Sequence, residues 1–256
     1  KLKINISEAT ELLYTLYGIE GNLSELPGDV DFNFRVRVNH GNGYILKISR
    51  PNQDQDYLHF QQAILLHLEG YPEITAPQTI KSNDGATTSE CKDQNGRLRN
   101  IRLLTWILGR LWSSVNPQVN DLRFSLGMEC GKLTQALQKF DHPEAHRSFE
   151  WDIAESLWTQ DHLHLFESEK KEILYYFQSL FEENQQSYKT LRKSVVHNDP
   201  NDNNILVSSD LINPKVTAVI DFGDAVYTQT INDLAIACAY SHDATPRPFR
   251  SFLSCC

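Results

Sequence analysis

The chain has no unbroken apolar stretch approaching the ~20 residues that a membrane-spanning helix needs. Its N-terminus, Lys1-Leu-Lys-Ile-Asn5, leads into no apolar run of the kind a secretory signal carries. A basic surplus is also lacking: 24 Lys and Arg stand against 33 Asp and Glu, a net charge of −9. That balance argues against a nucleic-acid partner, whose phosphates call for concentrated positive charge. The five cysteines, Cys91, Cys130, Cys238, Cys255 and Cys256, include no C-x-x-C pair, which argues against a zinc knuckle or a secreted disulfide framework and reads as reduced thiols. Internal repeats and low-complexity tracts are missing too. These absences leave a cytoplasmic globular protein, and 40% hydrophobic residues with 10% aromatics supply its core. A length of 256 residues fits one large domain or two modest lobes. The acidity suits a cationic small molecule. Because the first residue is not Met, the expectation is a processed chain or a fragment.

The apolar periods divide the chain into two halves. Ser7 is positioned to cap a first helix with Ala9, Leu12, Leu13, Leu16 and Tyr17 on one face. Strands are then predicted through Ile19 to Leu26, Phe34 to Val38 and Tyr44 to Ile48, the last two joined by the hairpin turn His40-Gly-Asn-Gly43. A helix follows over 56–69, and two more strands flank Asp93-Gln-Asn-Gly96. Residues 1–107 thus read as a five-stranded antiparallel lobe with one inserted helix. Residues 108–256 read as mostly helical, which makes the whole an α+β protein of two lobes. The repeat Leu122, Leu126, Cys130, Leu133, Leu137, Phe140 predicts one long helix. A second is predicted near 168–190, with Ile173, Phe177, Leu180, Phe181 and Tyr188 on its buried side. The stretch 141–167 is an irregular connector in which Trp151-Asp-Ile153 reads as packing. Two short strands, Ile205–Ser208 and Val216–Ile220, precede a helix near 231–241.

The chemistry concentrates in Val196-His-Asn-Asp-Pro-Asn-Asp-Asn-Asn-Ile-Leu206 and Ala218-Val-Ile-Asp-Phe-Gly-Asp224. The two strands are joined by a seven-residue turn, 209–215, so they pair antiparallel in the simplest arrangement. Asn204 and Asp221 then lie at one end of the hairpin, with Asp199 just ahead of them. Two carboxylates and an amide oxygen form a hard-oxygen set that suits Mg²⁺. The spacing His197, Asp199, Asn204 is H-x-D-x-x-x-x-N, and Asp221-Phe-Gly223 supplies D-F-G, the parts that phosphoryl transfer uses. Either alone is compatible with a solvated Asx-rich turn or a strand end; together and in order they favour the chemical reading. Lys47, charged within the apolar Tyr44-Ile-Leu-Lys-Ile48, is the expected partner of the phosphates. Residues 26–34, with Gly28, Asp31 and Asn33, lie where a phosphate-covering loop belongs, although a single glycine is no G-x-G-x-x-G cradle. Thr105 and Ile107 fall where a hinge backbone meets a nucleotide base. The Walker-like Gly127-Met-Glu-Cys-Gly-Lys132 has the wrong spacing and falls inside a helical repeat, and the pairs His142/His146 and His162/His164 find no convergent partners.

At His197–Leu206 and Asp221–Asp224 the chain resembles the aminoglycoside phosphotransferase and choline kinase-like superfamily. Within it the chain is most similar to hydroxylysine kinase-like proteins and to the kinase module fused to class III aminotransferases. The resemblance implies a protein-kinase-like two-lobe fold, ATP or GTP as co-substrate, Mg²⁺, and a small alcohol as phosphoryl acceptor. By position it makes Asp199 the catalytic base, with His197 supporting its loop, Asn204 and Asp221 the metal ligands, Lys47 the phosphate-pairing lysine, and Asp233 structural. It also implies fusion to further catalytic modules in a longer chain. Two departures stand out. In the inserted helix, His59 of Leu58-His-Phe-Gln-Gln62 takes the place expected for a lysine-holding acid, unless Asp54 or Asp56 reaches in. Only 35 residues follow Asp221 (256 − 221), so a truncated C-terminal lobe is expected. The short stretch between Gly223 and Asp233, and Asn198 where protein kinases carry Arg, argue against a peptide substrate. The rival readings are a nucleotide-binding but catalytically silent module and, more remotely, a metal hydrolase.

Overall fold

A computed structural model describes residues 4–28, 31–93 and 95–241. The tail 246–256, on which the expectation of truncation turned, lies outside the described residues. The chain divides into two compact units at Arg110/Leu111.

The first unit opens with helix α1 (Ile6–Tyr17). Its cap is Asn5 rather than Ser7: Asn5 Oδ1 accepts from Glu8 N at 2.9 Å and Glu8 Oε2 accepts from Asn5 N at 3.0 Å. This reciprocal pair satisfies two otherwise orphaned amides. Gly18, at φ 65°, ends the helix in the left-handed conformation that glycine adopts without strain. Strands β1 (Asn22–Leu26), β2 (Phe32–Arg37), β3 (Tyr44–Ile48), β4 (Thr79–Ile80), β5 (Ser89–Lys92) and β6 (Leu98–Thr105) form one antiparallel sheet, and helix α2 spans Gln55–Leu68. The sheet order is β1-β2-β3-β6-β4, with β5 also paired to β6. The five expected strands are joined by a sixth, β4, whose two residues are too few to show a period. Ala9, Leu13 and Tyr17 bury themselves with Phe34, Val36, Leu46, Ile48, Ile101 and Leu103. Because strand side chains alternate, Asn33, Lys47 and Arg102 project from the opposite face.

The second unit holds α3 (Asn120–Leu137), α4 (Ser168–Glu183), α5 (Gln185–Lys189) and α6 (Ile231–Ser241). A two-residue strand, β7 (Arg110–Leu111), lies at the division. Beyond it, β8 (Lys193–Val196) pairs antiparallel with β11 (Val226–Gln229), and β9 (Ile205–Val207) with β10 (Val216–Val219). The β8–β11 pair was not expected from the sequence, since each strand has only four residues and runs straight into a motif. Trp112, Leu122, Leu126, Ile205, Val207, Val216 and Ala237 share one core. The Walker-like glycines lie within α3.

The expected buried stripe at 168–190 is corrected. The segment is two helices, and Ile173, Phe177 and Leu180 are exposed at 54%, 60% and 43%. Phe181 and Tyr188 are half-buried and meet edge to face. Periodicity identifies a helix face but not the element that covers it. Trp151 is likewise 70% exposed, and it is its neighbour Asp152 that packs, accepting from Ala154 N, Thr228 Oγ1 and Asn232 Nδ2. No helix among the described residues is long and apolar enough to cross a membrane.

Candidate active site

In the second unit the functional loop leaves β8 at Val196 and re-enters the fold at β9. His197 and Asn198 donate their backbone amides to the two carboxylate oxygens of Asp233 at 2.9 and 2.6 Å. Asp233 is thereby a buried anchor on α6, and burial pushes its carboxyl up to about 6. The fully buried His197 ring spans the loop. Its Nε2 lies 3.0 Å from Ile220 O, and its Nδ1 accepts from Asp199 N at 3.2 Å. The first contact needs a proton on Nε2 and the second a bare Nδ1, so the neutral ring fits both partners. Burial agrees, lowering its pKa to about 4. Phe222 packs edge-on at 4.7 Å.

Asp199 is the half-buried carboxylate at the centre. Asn201 Nδ2 donates to both its oxygens at 2.8 and 2.9 Å, and Asn204 Nδ2 donates to Oδ2 at 2.7 Å and to the backbone carbonyl at 2.9 Å. Against those donors act burial first, then the charges of Asp224 and Asp221, and the net effect raises Asp199 to about 6. Asp224 is raised as well, by burial and by Asp221, with Arg147 opposing. Ile220 N donates to Asn204 O at 2.8 Å and so extends the β9–β10 ladder by one step. That places Asn204 and Asp221 at one end of the hairpin. Asp221 and Asn198 both adopt positive φ, 66° and 64°, a conformation that costs non-glycine residues energy and recurs where backbone geometry serves a site.

Asp199, His197, Asn204 and Asp221 are therefore brought together. Asn204 makes its side-chain hydrogen bonds through Nδ2, which leaves Oδ1 as the end suited to a cation. Among the described residues, no group of three or more His, Cys, Asp and Glu could hold a metal. The candidate donors for a divalent ion would be the Asn204 amide oxygen and the Asp221 carboxylate, a set whose chemistry fits a hard ion retaining waters or phosphate oxygens.

Lys47, Gly28, Asp31, Asn33, Thr105 and Ile107 lie in the first unit. Lys47 is buried on β3, directly opposite Asn33 on β2 and Arg102 on β6. A Cβ on Gly28 would meet the Asn33 amide and come within 2.6 Å of Asp31 O, so only glycine passes there without a shift. Thr105 N donates to Gln78 O at 2.9 Å and Trp106 N to Gly43 O at 3.0 Å; these two amides are used within the sheet, and Ile107 follows them half-buried. His59 is corrected: it is exposed, while Gln61, two residues on, is buried and takes Arg102 Nη1 at 2.7 Å. Asp54 caps α2, accepting from Asp56 N, and both acids are exposed.

Residues 22–254 match the model of the phosphotransferase enzyme family. The chain belongs to that family. Among its relatives, hydroxylysine kinase of Mus musculus is 26% identical over 95% of this chain and 71% of its own length, and that of Bos taurus 27% over 91% and 68%. Among solved structures, an amicoumacin kinase bound to AMP-PNP and Ca²⁺ superposes with a TM-score of 0.70 at 18% identity, covering 98% of this chain and 76% of that one. A microcompartment-associated aminopropanol kinase gives 0.67 at 19% identity, covering 98% and 86%. These likenesses carry the two-lobe α+β kinase fold. The phosphotransferase is an enzyme with a hydroxyl group as acceptor.

Sequence reasoning passed over Asn201, Asp224, Gln61 and Arg102. For Arg102 a signal existed: an arginine inside the apolar Ile101-Arg-Leu-Leu104 is as conspicuous as Lys47 in its own strand. For Asn201 and Asp224 there was only proximity to the motifs.

Proposed function

We propose that this phosphotransferase moves the γ-phosphoryl group of ATP or GTP to a hydroxyl of a small, amino-bearing alcohol, with Asp199 as the base. The observation that carries the reading is the Asp199 carboxylate, oriented by two amides and raised to about 6. Such a group is ionised at neutral pH yet basic enough to take a proton in the transition state. The relatives' names, hydroxylysine kinase and aminopropanol kinase, support an acceptor bearing both amine and hydroxyl. The net charge of −9 favours its approach.

In the proposed step, the substrate oxygen attacks γ-phosphorus, its proton passes to Asp199 Oδ1 or Oδ2, and the bond from γ-phosphorus to the β–γ bridging oxygen breaks, leaving the nucleoside diphosphate. Asn201 and Asn204 hold the carboxylate while the neutral His197 fixes the loop behind it. Lys47 serves the nucleotide phosphates, and Asp221 with Asn204 Oδ1 would hold Mg²⁺. When bound, the ion neutralises charge on the transferring group. The test is diphosphate release with hydroxylysine, aminopropanol and an aminoglycoside as acceptors. Acceptor-dependent turnover that vanishes in Asp199→Asn supports the reading; turnover retained in that variant overturns it.

A second reading, a nucleotide-binding but silent module, draws on the lone glycine of the 26–34 loop. Nucleotide binding without turnover on any alcohol or on water would favour it.

A further inference from the structure

We propose that Trp151 is a specificity-determining residue of the acceptor site, its exposed indole taking the ammonium group of the alcohol whose hydroxyl proton passes to Asp199. The proposal rests on the kinase reading above and deepens it by giving the acceptor's amine a receptor.

Trp151 is 70% exposed, more than any other Trp, Phe or Tyr among the described residues. A single exposed aromatic on a loose loop is ordinary, but this one stands on a fixed backbone. Residues 149–152 form a turn that Asp152 N closes by donating to Phe149 O at 3.0 Å. Glu150 O accepts from Trp158 Nε1 at 3.1 Å, and Trp151 O accepts from Asn198 Nδ2 at 3.3 Å. Asp152 Oδ1 accepts from Ala154 N and Thr228 Oγ1 at 3.0 Å each and from Asn232 Nδ2 at 3.3 Å. Three consecutive residues are thus anchored while the indole among them stays in solvent. Holding a large ring out of the core forgoes the burial that aromatic side chains ordinarily supply, a loss that a ligand resting on the ring offsets.

The same anchors tie the turn to the base. Asn198 is the residue before Asp199, and its backbone amide is held by Asp233 of α6. Asn232, next along α6, holds Asp152. The turn and the catalytic loop therefore share one stretch of α6, which keeps Trp151 at a set position relative to Asp199. The surroundings favour a cation. Asp224 and Asp221 act on the Asp199 carboxyl, and Arg147, on the same segment as Trp151, acts on Asp224. Arg147 itself lies over the Phe149 ring, 4.8 Å from its centroid. The turn already carries one cation on an aromatic face and offers a second, wider face at Trp151. Among side-chain rings the indole binds an ammonium best.

The experiment measures acceptor KM, kcat, nucleotide KM and melting temperature for the full chain and for Trp151→Phe, Trp151→Leu and Trp151→Ala, with hydroxylysine, aminopropanol and an aminoglycoside as acceptors. Trp151→Ala is expected to raise acceptor KM about fivefold, with kcat within about twofold and with nucleotide KM and melting temperature unchanged. Trp151→Phe should keep part of the affinity. Trp151→Leu should lose as much as Trp151→Ala, because leucine supplies apolar bulk without a π face. Acceptor KM in Trp151→Ala equal to that of the parent overturns the inference. Trp151→Leu matching Trp151→Phe also overturns it, as the mark of plain apolar contact. A joint loss of kcat, both affinities and melting temperature does the same, as the mark of a structural tryptophan. If the parent phosphorylates no amino-bearing acceptor, the kinase reading falls and this inference with it; parent-like acceptor KM in the variants of an active parent sinks the inference alone.

Discussion

The two units treat buried charge in opposite ways. On the sheet of the first, buried arginines are matched: Arg102 meets Asp31 and Gln61, and Arg99 meets Asp93 Oδ2 at 3.0 Å. Around the loop of the second, acids face acids. Asp199 and Asp224 are raised by burial and by their acidic neighbours, with amide donors the main compensation for Asp199. Matched charge stiffens a scaffold, because removing either partner strands the other in a dry place. Charge left in mutual repulsion stores a preference for whatever cation or proton relieves it. The first arrangement suits a platform, and the second suits chemistry.

The largest expected effect comes from the loop's central acid. Asp199→Asn should lower kcat by about three orders of magnitude, as for loss of a general base, with nucleotide affinity by calorimetry within twofold of the parent. Equal loss of affinity would make Asp199 a binding group and dissolve the contrast. Next is its anchor. Asp233→Ala leaves two buried backbone amides without acceptors and should cost about 3 kcal/mol in urea unfolding. Because the folded carboxyl of Asp233 is raised to about 6, its favourable contribution is present at low pH and fades as pH rises through 6. Asp233→Asn should therefore flatten the dependence of the unfolding midpoint between about pH 4 and 6. His197 has the opposite sign: lowered to about 4, it contributes above its ordinary pKa and loses that contribution as pH falls.

A smaller shift sharpens the point about mutual repulsion. Asp224→Asn removes one charge that raises Asp199, so the acidic limb of the kcat profile, expected near pH 6 in the parent, should move to lower pH. An unmoved limb would mean that Asp224 does not act on the base. Smallest of all, Phe177→Ser on the exposed face of α4 should change stability by under about 0.5 kcal/mol in urea unfolding.

Much of this molecule was legible beforehand, for a physical reason. Motif spacing encodes a hairpin: seven residues between two short apolar runs all but compel antiparallel return, and Asn204 and Asp221 meet at its open end. The alternation of β3 put Lys47 opposite Leu46 and Ile48. What escaped depended on partners remote in sequence. The period at 168–190 marked an apolar face but not its exposure, and Trp151 read as core although only its carbonyl, accepting from Asn198 Nδ2 at 3.3 Å, is engaged with the loop. His59 and Gln61 differ by two places along α2, about 200° of helical rotation. Which of them faces the sheet depends on how the helix lies on it.

The sequence by itself determined the succession of the larger elements, the hairpin and the set of oxygen and nitrogen groups gathered at its open end, because each follows from local period and turn chemistry. Only the tertiary structure decided which charges are matched. The pairing of Asp31 with Arg102 spans 71 residues and that of Gln61 with Arg102 spans 41. Desolvation, which raises Asp199 and Asp233 and lowers His197, is a property of the packed fold and is absent from the extended chain.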